Sequence, residues 1–364
     1  MNLIIFLIIL VLLVLVHEFG HFIVAKKSGI RVDEFGLGLP PKLFGKKFGE
    51  TLYSINTLPF GGFVKIFGEN PDDETNPEGK DLSRSMAHKG KWVQASVLAA
   101  GITFNLIFAW LIISSGLMFG LPTSVDTPNM AGVTDVKLVI SGVMPKSPAE
   151  TAGLKPGDIL LSLKTEKSSL AENLNLETVK NFIANSENQI DISFKRGSAV
   201  SDIKVLAGNG IISDSKAIGI SMEMIGIIKL PFFKAFTDGA VMTARLVKNV
   251  ATGIFYFFRD AILGHLDLTQ VAGPVGMVTL VGDARDLGIP YLIFFTALIS
   301  INLAVINLIP FPALDGGRLL VLLIEAIKGS PLKPKLVNTV NLIGFSFLII
   351  LMLAVTYHDI LKLF

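Results

Sequence analysis

Three ionisable residues interrupt the apolar N-terminal segment of this chain, and that combination limits what the chain can fold into. Residues 3–16 are all apolar, and the apolar run resumes at residues 22–25 after the string His-Glu-Phe-Gly-His. A segment of this length can cross a bilayer, which takes about 20 residues. Ionisable groups inside such a segment cost on the order of 2.5–3.5 kcal/mol each, so they are expected to have a partner.

The two histidines of this string have the spacing of a metal site. His17 and His21 are four residues apart, so on a helix both imidazoles lie on one face. Both rings could then bind one zinc ion, and Glu18 between them is placed to act as a general base. The alternative is a helix end whose His and Glu side chains simply reach the lipid headgroups. A metal is the simplest partner for three such groups within five positions.

Composition indicates an integral membrane protein with some soluble mass. The chain has 364 residues, of which 51% are apolar and 17% charged, below the ~25% charged residues of soluble domains. The net charge of +2 gives no sign of nucleic-acid binding. Because there are no cysteines, any zinc must be bound by His, Asp or Glu. The N-terminus has no basic start and no cleavage site, so we interpret it as a retained span and not as a signal peptide.

Hydropathy predicts four transmembrane helices, at residues 3–25, 92–119, 291–309 and 340–357. Residues 225–268 are apolar but interrupted by charges, which favours amphipathic helices on the membrane surface. Lysine and arginine are concentrated between spans one and two and between spans three and four. The positive-inside rule places both loops in the cytoplasm. His17 and His21 are then near the cytoplasmic end of span one, and the segment between spans two and three lies on the other side.

A β region is expected after span one. Residues 52–58 alternate, residues 59–62 break the pattern and residues 63–67 resume it, which predicts a hairpin. Residues 35–41 are turn-rich. The apolar side chains of the hairpin suit a sheet that dips into the membrane interface, where protein must cover exposed backbone groups. The alternative is an ordinary small surface sheet.

Two further stretches carry candidate site residues. In span two, Gly101 and Asn105 share one helix face, although helix packing alone would explain both. After span three, Asp315 follows Pro310 and Pro312, which break the helix and allow the carboxylate to turn inward. Asp315 is expected at the depth of the two histidines, where it would be a suitable third zinc ligand. Without the histidine motif it would be interpreted as a helix N-cap.

A soluble module is predicted at residues 135–224. The string S-P-A-x-x-A-G-L-x-P-G-D at residues 147–158 resembles PDZ domains of bacterial proteases. The resemblance implies that Ile218, Gly219 and Ile220 form the strand and loop that receive a peptide C-terminus.

The motifs together, in this order, resemble the site-2 protease family of intramembrane zinc metalloproteases. Within that family they are most similar to the bacterial proteases that regulate sigma-E. The resemblance implies a polytopic α-helical membrane protein with a membrane-associated β region and an inserted α+β PDZ-like domain. It also implies zinc ligands His17, His21 and Asp315, with Glu18 as base. Substrate-binding residues would be Asn302, Asn307, Pro310 and Pro312. This chain has one PDZ-like module, where the better-known relative has two in tandem.

The function expected from this resemblance is hydrolysis of peptide bonds in or near transmembrane segments. Anti-sigma factors and signal-peptide remnants would be the protein partners, within the lipid bilayer of the bacterial inner membrane. The alternative is a catalytically silent membrane scaffold that presents a PDZ domain. The expected organisation is residues 1–121 for spans one and two with the β region, 135–224 for the PDZ-like domain, 225–290 for surface helices and 291–364 for spans three and four.

Overall fold

The computed structural model of the chain describes residues 1–69, 81–125, 132–186, 189–197, 199–212, 215–264 and 272–361. The chain divides into two compact units. The first comprises Met1–Ile112, Asp238–Val281 and Thr296–Phe364, and the second comprises Ile113–Thr237 and Gly282–Phe295.

Helices account for most of the first unit, and several continue into the second. The helices of the described residues are α1 Asn2–Lys27, α2 Lys91–Phe119, α3 Pro148–Thr151, α4 Leu176–Ala184, α5 Phe232–Ile262, α6 Pro274–Leu287, α7 Ile289–Leu308, α8 Asp315–Lys328 and α9 Pro334–Leu361. Helices α1, α2, α7 and α9 are long and apolar enough to cross a membrane. Each of the four predicted spans therefore coincides with a helix that is able to cross a membrane.

Strands β1 (Val32–Phe48) and β2 (Thr51–Ile66) form the β region after α1 and pair antiparallel. The sequence predicted that the segments before and after residues 59–62 pair with each other, and this pairing is wrong. Both segments belong to β2, and both pair with β1. Residues 34–37 have partners on each side, in residues 52–55 and in residues 62–65. The stretch 35–41, which glycines and prolines had marked as turn-rich, is thus central to this sheet, since main-chain pairing on both sides overrides its weak strand propensity.

The second unit contains a β-sheet. Its strands are β3 Leu121–Ser124, β4 Val133–Val143, β5 Ile159–Lys164, β6 Ser169–Leu170, β7 Ile190–Arg196, β8 Ala199–Val205 and β11 Ile220–Ile228. They lie in the order β3-β11-β4-β5-β7-β8, with β6 beside β5. Strands β9 (Gly208–Ile212) and β10 (Ser215–Ala217) form a separate pair.

The sheet of the second unit has its own apolar core. Side chains from β4, β5, β7 and α4 pack together, among them Ile140, Leu163, Val179 and Ile192, all fully buried. The sequence pattern of the module predicts a helix at residues 176–185 and strands at 190–196 and 201–205, and these coincide with α4, β7 and β8. An independent core of this kind is what a separately folded module needs.

Candidate metal centre

The two histidines lie where the helical spacing predicted them. His17 and His21 are on one face of α1, and only 7% and 8% of their surfaces are exposed. Their Nε2 atoms are 3.2 Å apart. Two ring nitrogens that converge in a buried place are a costly arrangement unless something binds between them.

Asp315 completes the cluster. It is the first residue of α8, after the chain leaves α7 at Leu308 and passes the two prolines. Its Oδ2 atom lies 3.0 Å from Nε2 of His17 and 3.4 Å from Nε2 of His21. Apart from these ring nitrogens, Oδ2 has no partner in the part of the chain that the structure describes. Leu314 occupies the N-cap position, so the N-cap interpretation of Asp315 is wrong.

The three donor atoms fit a zinc ion. Atoms about 2.0–2.1 Å from a tetrahedral zinc lie roughly 3.3 Å from one another, and the distances here are 3.0, 3.2 and 3.4 Å. Helix α2 leaves the necessary space at Gly101. A Cβ atom at this position would lie 2.3 Å from Nε2 of His21 and 2.7 Å from Nε2 of His17. The donor set, its spacing and the open volume thus match a metal site with three protein ligands.

Helix α2 also contacts the outer nitrogens of both rings. Nδ1 of His21 lies 2.8 Å from the carbonyl oxygen of Val97. Nδ1 of His17 lies 3.3 Å from the side-chain amide of Asn105. Val97 was not among the residues that the sequence singled out. The four-residue spacing of Gly101 and Asn105 aside, no residue type marks a main-chain carbonyl as a partner, so the sequence carries no signal for this contact.

Glu18 lies against the β region. The main-chain N–H of Val64 in β2 donates to the Glu18 carboxyl group. The Cα of Gly62 is close as well, since a Cβ there would lie 3.6 Å from Cγ of Glu18. A chain that binds along this part of β2 would therefore pass beside Glu18.

Arg318 is a further charged group at the site, and the sequence had used it only to assign membrane orientation. It lies one turn after Asp315, interacts electrostatically with Glu18 and forms an ion pair with Glu69. The ion pair connects the start of α8 to the end of the β region. The motif Asp-Gly-Gly-Arg could have placed Arg318 near the cluster, because the arginine follows Asp315 by one helical turn.

The expected substrate residues lie around the end of α7. Asn302 is partly buried, and its side-chain amide donates to the Leu298 carbonyl of the same helix, 2.9 Å away. Asn307 is half-buried in the last turn, and Pro310 is exposed. Pro312 lies against α9, where a Cβ on Gly344 would be 2.5 Å from its side chain. Among the described residues, no hydrogen bond connects any of these four to His17, His21 or Asp315.

Ion pairs hold the end of α1 to the β turn beside it. Arg84 donates twice to the Glu50 carboxylate, with both N–O distances 2.7 Å, and Lys26 donates to it at 2.6 Å. These bonds, first from Arg84 and then from Lys26, lower the pKa of Glu50 from 4.5 to about 2. Glu50 thereby joins Lys26 at the end of α1 to Arg84.

The expected peptide-binding residues line a groove between α4 and β11. The groove has a volume of about 420 Å³, and its lining includes Ile218, Gly219, Ile220, Lys180 and Lys216. Gly219 has φ +82°, and a Cβ there would lie 2.3 Å from the Cβ of Ser147. Substitution of this glycine would thus disturb the loop itself.

Helices long and apolar enough to cross a membrane, together with a His-His-Asp cluster next to a glutamate, indicate a membrane-embedded metallopeptidase. Residues 5–351 match the family described as peptidase family M50. The chain is 35% identical to a protein of Clostridium perfringens whose name assigns it to the zinc metalloproteases, over 96% of this chain and 95% of that one. It is 30% identical to zinc metalloprotease RasP of Shouchella clausii, over 99% and 98% of the two chains. It is also 30% identical to regulator of sigma-W protease RasP of Bacillus subtilis, with the same coverage.

The chain belongs to peptidase family M50, the site-2 proteases. It is a multi-pass membrane protein and an intramembrane zinc metalloprotease. The resemblance inferred from the motifs is confirmed, and with it the expected enzyme class and zinc cofactor.

Proposed function

We propose that this protease binds zinc through His17, His21 and Asp315 and that Glu18 is its general base. The observation that carries the proposal is the convergence of the three donor atoms within 4.8 Å of one another, in a cluster adjacent to Glu18. The scaffold alternative has no comparable support, because a silent scaffold has no need of an intact ligand set.

The chemistry follows from the positions of these residues. Zinc held by His17, His21 and Asp315 would supply an acidified water and would polarise the scissile carbonyl. Glu18 accepts the proton of the attacking water and returns it to the leaving amine. The Val64 N–H donates to its carboxyl group and orients it. Burial of the histidines keeps bulk water away, which strengthens each electrostatic interaction at the site.

We infer that the substrate binds as a strand along residues 62–66 of β2. A transmembrane helix hides its carbonyls in its own hydrogen bonds, so it must unwind before cleavage. The freed groups need new partners, because each unmet one costs several kcal/mol in lipid. Residues 62–65 pair with β1 on one side only among the described strands, and Gly62 lies next to Glu18. Strand addition at this edge would bring the scissile bond to the base.

The amide-bearing residues at the end of α7 are proposed to hold the other side of that strand. Asn302 would have to release its bond to Leu298 to contact a substrate. Asn307 is nearer to the break before α8. Pro310 and Pro312 shape the break itself and so place Asp315.

We further propose that the module at residues 135–224 is a PDZ-like domain on the extracytoplasmic side, with the metal centre near the cytoplasmic side. The groove that contains Ile218, Gly219 and Ile220 supports a peptide-binding role. The domain would select substrates, while residues 1–121 and 291–364 would perform catalysis. Residues 225–290 would lie on the surface of the bacterial inner membrane. The name of the Bacillus subtilis relative refers to sigma-W regulation, so anti-sigma factors are proposed substrates, together with signal-peptide remnants.

Separate substitutions distinguish the base from the ligands. We expect Glu18→Gln to bind zinc like the wild type and to lose cleavage, because glutamine keeps the shape but cannot accept the proton. His17→Ala should lose zinc, and Asp315→Asn should bind it more weakly because a charged ligand becomes neutral. The measurements are the zinc content of the purified full chain and cleavage of a transmembrane peptide substrate. Cleavage by Glu18→Gln at the wild-type rate, or full zinc content in His17→Ala, would refute these assignments.

A further inference from the structure

One face of α2 contacts both histidine ligands. Three residues of this face follow one another at intervals of four. Val97 contacts His21, Gly101 leaves the space for the metal, and Asn105 contacts His17. The carbonyl of Val97 can only accept, so Nδ1 of His21 carries the proton. Nε2 of His21 is then free to bind a metal.

The contact at His17 is different because it comes from a side chain with two unlike ends. The Nδ2 atom of Asn105 lies 3.3 Å from Nδ1 of His17. Nδ2 can only donate, so in this orientation the ring proton would be on Nε2, where it prevents metal binding. Oδ1 of Asn105, meanwhile, is buried and has no partner among the described residues.

Rotation of the amide by 180° removes both difficulties. The two ends of an asparagine amide are nearly the same size, so the rotation needs no additional space. Oδ1 then accepts from Nδ1–H of His17, and Nε2 of His17 is left with a free lone pair next to Oδ2 of Asp315. The unpartnered oxygen and the blocked nitrogen are thus explained by one change.

The surroundings allow Asn105 to have this role. Its side chain is fully buried, so water does not compete for the bond. Ser300 of α7 donates to its main-chain carbonyl at 2.9 Å, which fixes this turn of α2. Hydrogen-bond partners on the outer nitrogen of a metal-bound histidine orient the ring and raise its basicity.

We propose that Asn105 is a positioning residue that accepts a hydrogen bond from Nδ1–H of His17 and so fixes the metal-binding tautomer. The proposal rests on the proposed metal site. It replaces the helix-packing explanation of Asn105, because packing alone would not require an amide oxygen at this place. It also assigns the two ligands different supports, a main-chain carbonyl for His21 and a side chain for His17.

The test uses two substitutions that keep the size of the side chain. Asn105→Leu removes the acceptor, and we expect zinc affinity to fall by about 10–100-fold, as for other outer partners of metal ligands. Asn105→Asp keeps an acceptor and removes the donor, so its zinc affinity should stay within a few-fold of the wild type. Affinity is measured by competition with a chelator on the purified full chain. Ser300→Ala is the matched control, since it removes a buried bond to the same residue without touching His17, and it should bind zinc normally.

The outcomes separate this proposal from the metal site on which it rests. Wild-type zinc affinity in Asn105→Leu, with zinc lost in His17→Ala, would overturn the positioning role alone. Zinc retained in His17→Ala would overturn the metal site itself. If Asn105→Leu does not fold, Asn105→Asp still decides, because a loss of tenfold or more would show that the donor end of the amide is the one required.

Discussion

At the residue scale, Gly101 contributes to the site by having no side chain. The position that a Cβ would take is 2.3 Å from Nε2 of His21 and 2.7 Å from Nε2 of His17, close to the 2.0–2.1 Å that zinc itself needs. A side chain here and a metal ion therefore compete for one volume. Three features of α2, its open space, a carbonyl and an amide, thus act on two side chains of α1.

We predict that Gly101→Ala loses zinc while the protein remains folded. Alanine stabilises a helix by roughly 0.5–1 kcal/mol relative to glycine, so the substitution should not destabilise α2. Zinc affinity should fall by more than the ~10–100-fold that outer-partner changes cause. Gly253→Ala in α5 is the matched control, because nothing lies within 4 Å of a Cβ at that helical position. Chelator competition and thermal unfolding of both variants provide the measurement, and normal zinc binding by Gly101→Ala would contradict the proposed metal position.

The sequence indicated the three residues of the candidate metal site, but not the main-chain groups that surround them. His17, His21 and Asp315 could be found because helical spacing and a proline break are local signals. The contact of Val97 with His21 could not, since it depends on a main-chain carbonyl 76 positions away. The contact of Glu18 with Val64 was missed for the same reason, because any residue type can supply a main-chain N–H.

At the element scale, the ends of helices depend on distant partners. The glycines and the proline of residues 273–276 predict only a break in the chain, whereas in the structure α6 begins at Pro274. Asp359, buried near the end of α9, accepts from the N–H of Gly276 at 2.8 Å and so caps that helix. A cap supplied 83 residues away leaves no local signal. The sequence also did not predict that β1 pairs on both sides with β2, since register depends on packing and not on strand propensity.

A pH-dependent prediction concerns the turn between β1 and β2. The pKa of Glu50 is lowered to about 2 by Arg84 and Lys26, so its ion pairs stabilise the fold above the ordinary value of 4.5 and lose that effect as the pH falls towards 2. We expect Glu50→Gln to have a lower thermal unfolding temperature than the wild type at pH 7. The difference should shrink steadily between pH 4.5 and pH 2. Thermal unfolding in detergent over this range is the measurement, and a difference independent of pH would show that Glu50 acts through packing.

At the scale of the whole molecule, the proposed chemistry and the proposed selection belong to different parts of the chain. All three proposed ligands and the proposed base lie in the first unit, and the groove of the proposed PDZ-like domain lies in the second. The sequence predicted this division because the module carries its own strand and turn signals. Strands β3 and β11 extend the sheet beyond residues 135–224, and they pair Ser124 with Ile225.

That pairing allows a clean removal of the module. Residues 125–224 can be deleted and Ser124 joined to Ile225 by Asn-Gly, the two-residue turn that suits paired antiparallel strands. We expect the shortened chain to keep its zinc and to cleave substrates that lack a folded ectodomain. It should also cleave substrates with an intact ectodomain, which the full chain would refuse, because the proposed role of the module is selection.

The competing hypothesis is that the module activates the enzyme when a peptide binds in the groove of Ile218 and Ile220. Under that hypothesis, deletion lowers cleavage of trimmed and untrimmed substrates alike. The two are distinguished by one assay on paired substrates that differ only in the ectodomain, with zinc content measured in the same preparation. Loss of both cleavages at full zinc content would refute selection, and gain of the untrimmed substrate alone would refute activation. Loss of zinc would show that the module supports the metal centre, which contradicts the division of chemistry and selection between the two units.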